Sequence, residues 1–394
     1  MKALKRFFTE YIILNFFIFA LMGLLSLLIV NIGFFDPFTQ AFEDFRLTDL
    51  YYSKIKNRDS IYKGPLVLVN IEQKDRAQLS KIFDRIQTGK PAVVGLDVIF
   101  RGRKDTIADN QLRLTLQKNS NYVFSYIAAF EPDETAVYTD SFFSASQQGY
   151  ANLVGVDRQT TTIRHYYPTF ANQQSFTNTL LKAYKPDFIQ SEDNHEMEIH
   201  YWGNLSNFRF YNASEIEDPA FDPSVFEGKI VLAGYLGSAE ESEKLRIDED
   251  KFFTPLNDRL SGRSYPDMYG TVIHANILRM LLEKDEIQVV PRWKVVIISS
   301  LIIWLLLPFL TGLFLKGNIW FNAVGTLIQL AGSILVVFIA IVLYRFGNIK
   351  FDPGLLTACL VLLPTFINLY EAFLKFLRIK LKLIFQSQFL KNNA

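Results

Sequence analysis

Four long apolar runs constrain the fold of this 394-residue chain more than any other feature of its sequence. They cover residues 11–33, 294–315, 319–344 and 355–377. At about 1.5 Å of helical rise per residue, each run can cross the roughly 30 Å hydrocarbon layer of a bilayer. The alternative for the first run is a cleaved signal peptide, whose apolar core usually spans only about 7 to 15 residues. The sequence therefore predicts four transmembrane helices, with the lipid bilayer as a partner.

Basic residues flank the first and the last apolar run. By the positive-inside rule they place both termini in the cytoplasm, residues 1–10 as a short N-terminus and residues 378–394 as a basic tail. The tail would lie on the anionic inner leaflet, dock on a cytoplasmic partner or only fix the topology. The large segment between the first two runs is then extracytoplasmic. The flanking basic residues are Lys2, Lys5, Arg6, Lys375, Arg378, Lys380, Lys382 and Lys391.

The large segment is acidic, although the whole chain carries a formal net charge of +1. Residues 34–293 contain 29 Lys and Arg against 37 Asp and Glu, a net charge of 29 − 37 = −8. Binding of nucleic acid requires a clustered basic face, so we expect no nucleic acid as a partner. The single cysteine, Cys359, excludes a disulfide within the chain. An apolar core must therefore hold this segment together.

Buried strands alternate with amphipathic helices in the first half of the segment. Runs rich in Val, Ile and Leu predict strands buried on both faces, and apolar residues at helical spacing predict the helices between them. This order is typical of a parallel sheet with right-handed crossovers. We therefore predict a three-layer α/β domain with a mainly parallel sheet over residues 34–290. The predicted strands are 65–72, 92–100, 122–130 and 229–235, and the predicted helices are 74–86, 108–118 and 176–184.

The stretch 250–283, just before the second apolar run, has two different halves. Two prolines and two glycines predict an irregular first half. Apolar residues at helical spacing from Val272 onward predict an amphipathic helix in the second half. That helix precedes the membrane by about a dozen residues, so a signal from the domain would have to pass through it.

Two carboxylates end predicted strands, where open parallel sheets tend to bind ligands. Asp97 lies at the carboxyl end of the second strand, and Glu72 ends the first. Ligands of such sheets bind outside the carboxyl ends of the strands. Each carboxylate is therefore a candidate ligand-binding residue, and the alternative is that it only holds a loop.

A second candidate cluster combines His274 with Asp250, Thr254 and Asp267. A loop folded back over the predicted helix would bring these carboxylates near the imidazole. Such a cluster would bind a ligand or metal or act in acid–base chemistry. The alternative is a buried imidazole that is hydrogen-bonded to the loop for structural reasons.

The sequence predicts no enzyme, no cofactor and no metal site. His195 and His200 are five residues apart, a spacing that points them to opposite faces of a strand. No nucleophile triad, paired zinc-ligand spacing or phosphate-binding loop stands out. Acidic, basic and histidine side chains are missing from the middle of the apolar runs, which argues against a transporter.

A few polar and small residues in the apolar runs favour helix–helix packing. Asn15, Gln329 and Asn368 would form hydrogen bonds between helices, and Gly325 and Gly332 permit close approach. The bundle forms within one chain in the simplest interpretation, and a homo-oligomer is the alternative. Near the end of the last run, Glu371 and Lys375 are spaced for a helical ion pair.

Several stretches together resemble the type-two CHASE domains, extracytoplasmic sensor modules of bacterial cyclases and kinases. The resemblance covers nearly all of residues 34–290 and implies a sensor domain in a bacterial cytoplasmic membrane. The arginine motif with Trp and Pro that often follows the first strand of the family is missing here. The matching stretches are FEDFRL, LVLVNIE, PAVVGLDVIF, GYANLVGVDRQTTTIR, IHYWG, FEGKIVLAGY and DKFFTPLNDRLSGRSYPDMYGTVIHANIL.

Members of that family usually continue into a cytoplasmic kinase or cyclase, whereas this sequence ends soon after the last apolar run. The resemblance therefore implies that the output is carried by a separate protein partner, in the membrane or the cytoplasm, or by the membrane segment itself. We expect a signalling subunit that senses a ligand or the state of the envelope. The alternative is a structural or docking subunit of a larger envelope complex that binds no small molecule.

Overall fold

In a computed structural model the chain divides into two units. The α/β unit is Ala41–Ile287, and the helical unit combines Met1–Gln40 with Gln288–Ala394. The structure describes residues 2–31, 47–56, 60–130, 133–143, 147–153, 162–187, 196–237, 250–257, 265–317, 320–380 and 387–393.

A six-stranded sheet forms the centre of the α/β unit. Its strands run in the order β4-β3-β2-β6-β1-β5, and every pair of neighbours is parallel. The last strand of this sheet in chain order, β6, therefore lies between the first two, β1 and β2. The predicted α/β fold with a mainly parallel sheet is confirmed. The strands are β1 Leu66–Asn70, β2 Val93–Asp97, β3 Tyr122–Tyr126, β4 Gln148–Tyr150, β5 Phe210–Asn212 and β6 Ile230–Gly234.

The helices are divided between the two units. Those of the α/β unit are α2 Leu47–Leu50, α3 Arg76–Thr88, α4 Thr106–Lys118, α5 Phe176–Tyr184, α6 Ala213–Glu217 and α7 Gly270–Glu283. Those of the helical unit are α1 Lys2–Asn31, α8 Arg292–Leu315, α9 Trp320–Leu327, α10 Ser333–Gly347 and α11 Gly354–Lys380. Tyr51–Ile55 and Ile328–Gly332 are π-helical, and Leu205–Asn207, Pro223–Phe226 and Gln388–Asn393 are 3-10 helical.

Helices cover both faces of the sheet, as the three-layer prediction requires. On one face, α3 and α4 share a buried cluster with the alternate strand residues Val67, Val94 and Val231. On the other face, α5 crosses β2 so closely that a Cβ at Gly95 would overlap the side chain of Leu180. Helix α7 packs on this second face, over β6 and β1.

Polar caps determine where three helices of the α/β unit begin. Asp75 accepts a hydrogen bond from the Gln78 amide in a capping box at the start of α3. Asp105 accepts from two amides at the start of α4, and Ser175 accepts from the Asn178 amide at the start of α5. Such caps satisfy amides that have no partner within the helix. Each helix therefore begins at a boundary set by its local sequence.

Short antiparallel strand pairs complete the α/β unit. His165–Tyr166 pairs with Met197–Glu198, and Thr169–Phe170 pairs with Gln173–Gln174. Lys251–Phe252 pairs with Met268–Tyr269, which closes the loop before α7.

Four helical segments of the helical unit are long and apolar enough to cross a membrane. They are Thr9–Leu27, Arg292–Leu315, Trp320–Gly347 and Gly354–Lys380. One lies before the α/β unit in sequence and three lie after it, as predicted. Buried residues of all four helical segments, among them Tyr11, Ile303, Phe321 and Leu363, form one apolar cluster.

Polar side chains join the helices of this unit. Asn15 donates a hydrogen bond of 2.7 Å to the Ser300 hydroxyl, and Gln329 donates one of 2.7 Å to the Val361 carbonyl. These two predicted interhelical bonds are confirmed. Asn368 instead donates a hydrogen bond of 3.1 Å to the Pro364 carbonyl, four residues earlier in its own helix.

Small residues and an ion pair support the same bundle. Gly325 lies against the Pro364 ring, and a Cβ added at this glycine would be 3.1 Å from Cγ of the proline. The predicted pair between Glu371 and Lys375 is present at 2.9 Å. These contacts are made within one chain. The alternative, a homo-oligomer, stays a prediction.

Residues 387–393, the last that the structure describes, pack on other parts of the helical unit. The Glu10 carboxylate accepts hydrogen bonds from the Ser387 hydroxyl and the Gln388 amide. Phe389 is 1% exposed and contacts the ring of Tyr370 edge-on. This part of the basic tail is therefore packed on the helices of its own chain.

Candidate functional site

The carboxyl ends of the parallel strands meet the start of α7 at Asp97. Asp97 ends β2, and its Oδ2 accepts a hydrogen bond of 2.7 Å from the Thr271 hydroxyl. Gly234 is the β6 partner of Asp97, and a Cβ there would overlap that hydroxyl. The glycine therefore allows the strand and the helix to approach. Asp97 fastens α7 to the sheet.

His274 lies one turn further along α7 and is only 5% exposed. Its ring contacts Phe176 of α5 edge-on, with 5.6 Å between the ring centroids. Burial lowers the pKa of the imidazole, while the nearby Asp97 carboxylate and a hydrogen bond to the Ala151 backbone raise it less strongly. The imidazole is therefore neutral at pH 7, since its ordinary pKa is already about 6.5.

His274 also lines a small pocket on this side of the domain. Tyr150, Tyr166, Ser175 and Thr177 belong to its walls. Its cavity volume is about 10 Å³, which is room for at most about one water molecule. Sites for drug-sized ligands have roughly 300 to 1,000 Å³, so this pocket does not hold such a ligand.

Thr254 and Asp267 are brought together by the loop before α7. Asp267 accepts hydrogen bonds of 2.8 Å from the Thr254 amide and 2.5 Å from its hydroxyl. Burial raises the pKa of Asp267 to about 6, against the effect of these bonds and of the Asn257 amide, which lower it. The pair closes the loop, and its bonds are made with each other rather than with His274.

Asp250 and Glu72 occupy two further places. Asp250 is exposed, and its backbone carbonyl accepts from the Gly270 amide at the start of α7. Glu72 has a left-handed backbone with φ of 52° and accepts a hydrogen bond of 2.9 Å from the Ser214 hydroxyl. The candidate residues are thus distributed among separate contacts. Asp97 and His274 lie near each other, Thr254 bonds with Asp267, and Asp250 and Glu72 belong to neither group.

Asn70 is a polar centre that the sequence analysis missed. Its amide nitrogen donates to Asn212 Oδ1 at 3.0 Å and to the Gly237 carbonyl at 2.8 Å. Its Oδ1 accepts from the amides of Glu72 and Leu236. Asn70 therefore holds the loops after β1 and β6 and the end of β5 together. The available signal was a lone amide at the end of the otherwise apolar strand LVLVN.

The far half of α7 is bonded to residues 199–203. Asn276 is fully buried and accepts hydrogen bonds from the Trp202 amide at 2.6 Å and the Gly203 amide at 3.2 Å. It also donates to the Gly203 carbonyl at 3.0 Å. The Asn276 side chain therefore contributes three hydrogen bonds that hold the segment 199–203 on the helix.

The segment 199–203 is also bonded to residues 47–56. Lys56 donates to the Tyr201 carbonyl, and its ammonium lies 5.7 Å from the Trp202 ring. The guanidinium of Arg279 from α7 lies 4.7 Å from the same ring. Each cation is attracted by the face of the indole. Trp202 therefore links the residues that precede the α/β core to α7.

An acidic residue after α7 completes this network. His200 Nδ1 lies 3.2 Å from an Asp285 carboxylate oxygen, and Arg279 donates to the same carboxylate. These two partners, His200 first, hold the pKa of Asp285 well below its ordinary range. Asp285 is therefore ionised at any physiological pH.

Metal-ligating side chains are not grouped in the part of the chain that the structure describes. No three His, Cys, Asp or Glu residues there are placed to hold one metal ion. His195, one of the two histidines of the HEMEIH stretch, lies outside the described residues.

Comparison with known proteins identifies the family of the chain. A family model described as the CHASE2 domain matches residues 17–313, from within the first apolar helix to near the end of the second. No curated protein and no solved structure matches the chain. The matched region is most of the chain and includes the whole parallel sheet, α7 and the segment 199–203. The chain therefore belongs to the CHASE2 family of sensor domains.

Proposed function

We propose that this protein is a non-enzymatic sensor subunit of a bacterial cytoplasmic membrane. Its α/β unit responds outside the cytoplasm to a ligand or to the state of the envelope. The response passes through α7 to the membrane helices and from them to a separate protein partner. The basic flanks of the first and last apolar runs support this orientation, with both termini in the cytoplasm.

The double attachment of residues 199–203 carries the proposal. The segment is bonded through Lys56 to the residues that follow the first membrane helix in sequence. It is bonded through Asn276 and Arg279 to α7, which precedes the second membrane helix in sequence. A change in the packing of α7 against the sheet would therefore reach both connections at once. Signal transmission through a rigid domain requires a packed element with two arrangements, and α7 with its attached segment 199–203 is the element that we assign to this role.

The bonds at the carboxyl edge of the sheet support a role without catalysis. The side chains of Asn70, Asp97 and Asp267 are each engaged with protein hydroxyl or amide groups. The same engagement favours the second candidate function, a structural or docking subunit without a small-molecule ligand. The two functions differ in whether the domain changes its packing on a stimulus.

The test is cross-linking of the full chain in its native membrane, with quantitative mass spectrometry after mild extraction. We expect a membrane or cytoplasmic protein in constant ratio to the chain. We also expect its cross-links to change when Asn276→Ala detaches residues 199–203 from α7. The control is Gln111→Ala on the exposed face of α4.

Two results would contradict the proposal. The first is that the chain is repeatedly isolated without a stoichiometric partner, because a separate output protein would then be absent. Cross-links that are identical in wild type and Asn276→Ala, in a partner complex that persists, indicate docking rather than signalling.

A further inference from the structure

Residues 387–393 of the tail, which we call the strap, lie against the membrane helices α1, α8 and α11. Helix α11 runs on to Lys380, yet Phe389 of the strap contacts the ring of Tyr370, ten residues before that end. Phe389 also contacts the ring of Phe314 near the end of α8, with 6.0 Å between the ring centroids. Ten helical residues span about 15 Å. The strap therefore lies beside the bundle, about 15 Å back from the end of α11.

One carboxylate of α1 holds the strap at its first residue. Glu10 accepts hydrogen bonds from the Ser387 hydroxyl and, at 3.3 Å, from the Gln388 amide. Ser387 Oγ in turn accepts from the Phe389 amide at 3.1 Å. Glu10 thus caps, through Ser387, the 3-10 helix Gln388–Asn393. A helix this short is not stable by itself in water, so the strap owes its structure to the contact.

Two large apolar side chains of the strap complete the core of the bundle. Phe389 is 1% exposed and Leu390 is 7% exposed. Both belong to the apolar cluster that includes Tyr11 of α1 and Leu310 of α8. The surface that they cover is an apolar groove with the Glu10 carboxylate at its edge. Such a groove suits a peptide in which a hydroxyl group is followed by two large apolar side chains.

The groove is built from the helices that would carry a signal. Glu10 belongs to α1, which precedes the α/β unit in sequence, and Phe314 belongs to α8, which follows it. A displacement of one helix against the other would therefore separate the polar from the apolar half of the groove. A strap that needs both halves would lose its place. In the proposed topology this change occurs on the cytoplasmic side, where an output protein would meet it.

The strap fits its groove imperfectly at Gln388. The side-chain nitrogen of Gln388 is buried and has no hydrogen-bond partner in the described part of the chain. A buried donor without an acceptor costs free energy, whereas an apolar group of similar shape at the same place does not. A competing segment with an apolar residue at this position would therefore bind more tightly than the strap does.

We propose that the strap is autoinhibitory and closes a docking groove for a segment of the output partner. The inference rests on the proposed function and gives the partner its recognition chemistry. The partner segment carries the pattern of the strap, a hydroxyl residue followed at the second and third positions by large apolar residues. It has an apolar residue where the strap has Gln388.

The first test measures binding of a strap peptide to the full chain in phosphatidylcholine nanodiscs. The peptide is QSQFLKNNA, residues 386–394, with a fluorescein label. The double variant Phe389→Ala, Leu390→Ala of the chain empties the groove. Fluorescence anisotropy should show at least tenfold tighter binding to this variant than to wild type, since the attached strap competes at a high effective concentration.

Matched peptides show whether the groove reads the pattern. The peptide with the same two alanine substitutions should bind neither chain, and no peptide should bind nanodiscs without protein. The peptide with Gln388→Leu should bind the double variant at least threefold more tightly than the unchanged peptide, because the unpaired donor is removed.

A second measurement decides the case in which the double variant does not fold. Hydrogen exchange of the Gln388, Phe389 and Leu390 amides reports the docked strap in the full chain. Glu10→Ala removes the acceptor of the first turn and should speed this exchange at least tenfold. The control is Glu371→Ala, since this carboxylate pairs with Lys375 on its own helix, and it should leave the exchange unchanged.

Three results would overturn the proposal. The first is equal binding of the peptide to wild type and to the double variant. The second is binding of the alanine peptide as tight as that of the unchanged one, which would indicate adsorption to the lipid or to any apolar surface. The third is strap exchange that is the same in wild type and Glu10→Ala.

Failure here is separate from failure of the proposed function. Peptide binding to the emptied groove, in a chain that is isolated from its native membrane without a partner, would leave the groove assigned and contradict the sensor subunit. A partner whose cross-links respond to Asn276→Ala, in a chain whose emptied groove binds no peptide, would leave the signalling role and remove the strap.

Discussion

At the scale of single residues, the pKa values of two carboxyls of the α/β unit are shifted in opposite directions. Asp267 has its pKa raised to about 6, chiefly by burial. Burial alone would raise the pKa of Asp109 as well, but Arg76 at 2.6 Å and the amides of Lys104 and Asp105 lower it below its ordinary value. The difference lies in the partner, a neutral hydroxyl in one case and a guanidinium in the other.

Asp267 therefore contributes stability at acid pH that is lost as the pH rises. In the unfolded chain its carboxyl ionises near pH 3.9, and in the folded protein near pH 6. We expect the wild-type unfolding midpoint to fall across this window. Asp267→Asn should abolish that part of the fall, measured by thermal unfolding of the full chain at pH 4 to 7.

Asp109→Asn provides the opposite case. The pKa of Asp109 is lowered in the folded protein, so its contribution is present above the ordinary pKa and is lost as the pH falls. Asp109→Asn should lower the unfolding midpoint at pH 7 and change it much less at pH 3. If both variants shifted the midpoint equally at every pH, neither carboxyl would titrate as the structure implies.

At the scale of elements, the side-chain amide of Asn276 makes three of the hydrogen bonds between α7 and residues 199–203. Asn276→Ala leaves the buried amides of Trp202 and Gly203 without their acceptor. At about 1–3 kcal/mol for each unsatisfied group, we expect a loss of at least about 2 kcal/mol. Chemical denaturation of the full chain measures it, with Gln111→Ala as a control that should stay within about 0.5 kcal/mol.

The third membrane helix depends on a side chain in its π-helical turn. Gln329 lies in Ile328–Gly332 and donates to the Val361 carbonyl of α11. Gln329→Leu should cost about 0.5 to 1 kcal/mol, since hydrogen bonds between membrane helices average about 0.6 kcal/mol.

Thr326→Val is the matched control for this change. The Thr326 hydroxyl donates to the Asn322 carbonyl of its own helix, so its loss should not affect the packing between helices. Steric trapping or unfolding in mixed micelles would compare the two variants. An equal effect of both would show that Gln329 adds nothing to the contact between the helices.

At the scale of the whole molecule, the proposed topology places the turn after the second membrane helix in the cytoplasm. Lys118, at the end of α4, and Lys316, after α8, are both exposed positions. In a background without the buried Cys359, a membrane-impermeant maleimide added to intact cells with a permeabilised outer envelope should label Lys118→Cys. Lys316→Cys should react only after the membrane is opened. The reverse pattern would invert the proposed orientation.

The sequence by itself determined the parts of this protein that depend on local patterns. Four apolar runs predicted the membrane helices, and alternating apolar strands and amphipathic helices predicted the parallel sheet. The predicted helix 176–184 is α5, residue for residue, because Ser175 caps it and its apolar face is regular. Hydrophobic period and capping act between residues that are close in the chain, so they can be read from the sequence.

Only the tertiary structure decided which polar residues meet. The partner of Asp97 is Thr271, 174 positions away, and the two are adjacent because β6 lies between β1 and β2. Thr254 closes on Asp267 rather than on His274, and Asn70 and Asn276 join loops that are distant in sequence. Buried polar groups must find partners wherever the packing of the apolar core places them. Their pairing is therefore a property of the assembled core and not of any stretch of the chain.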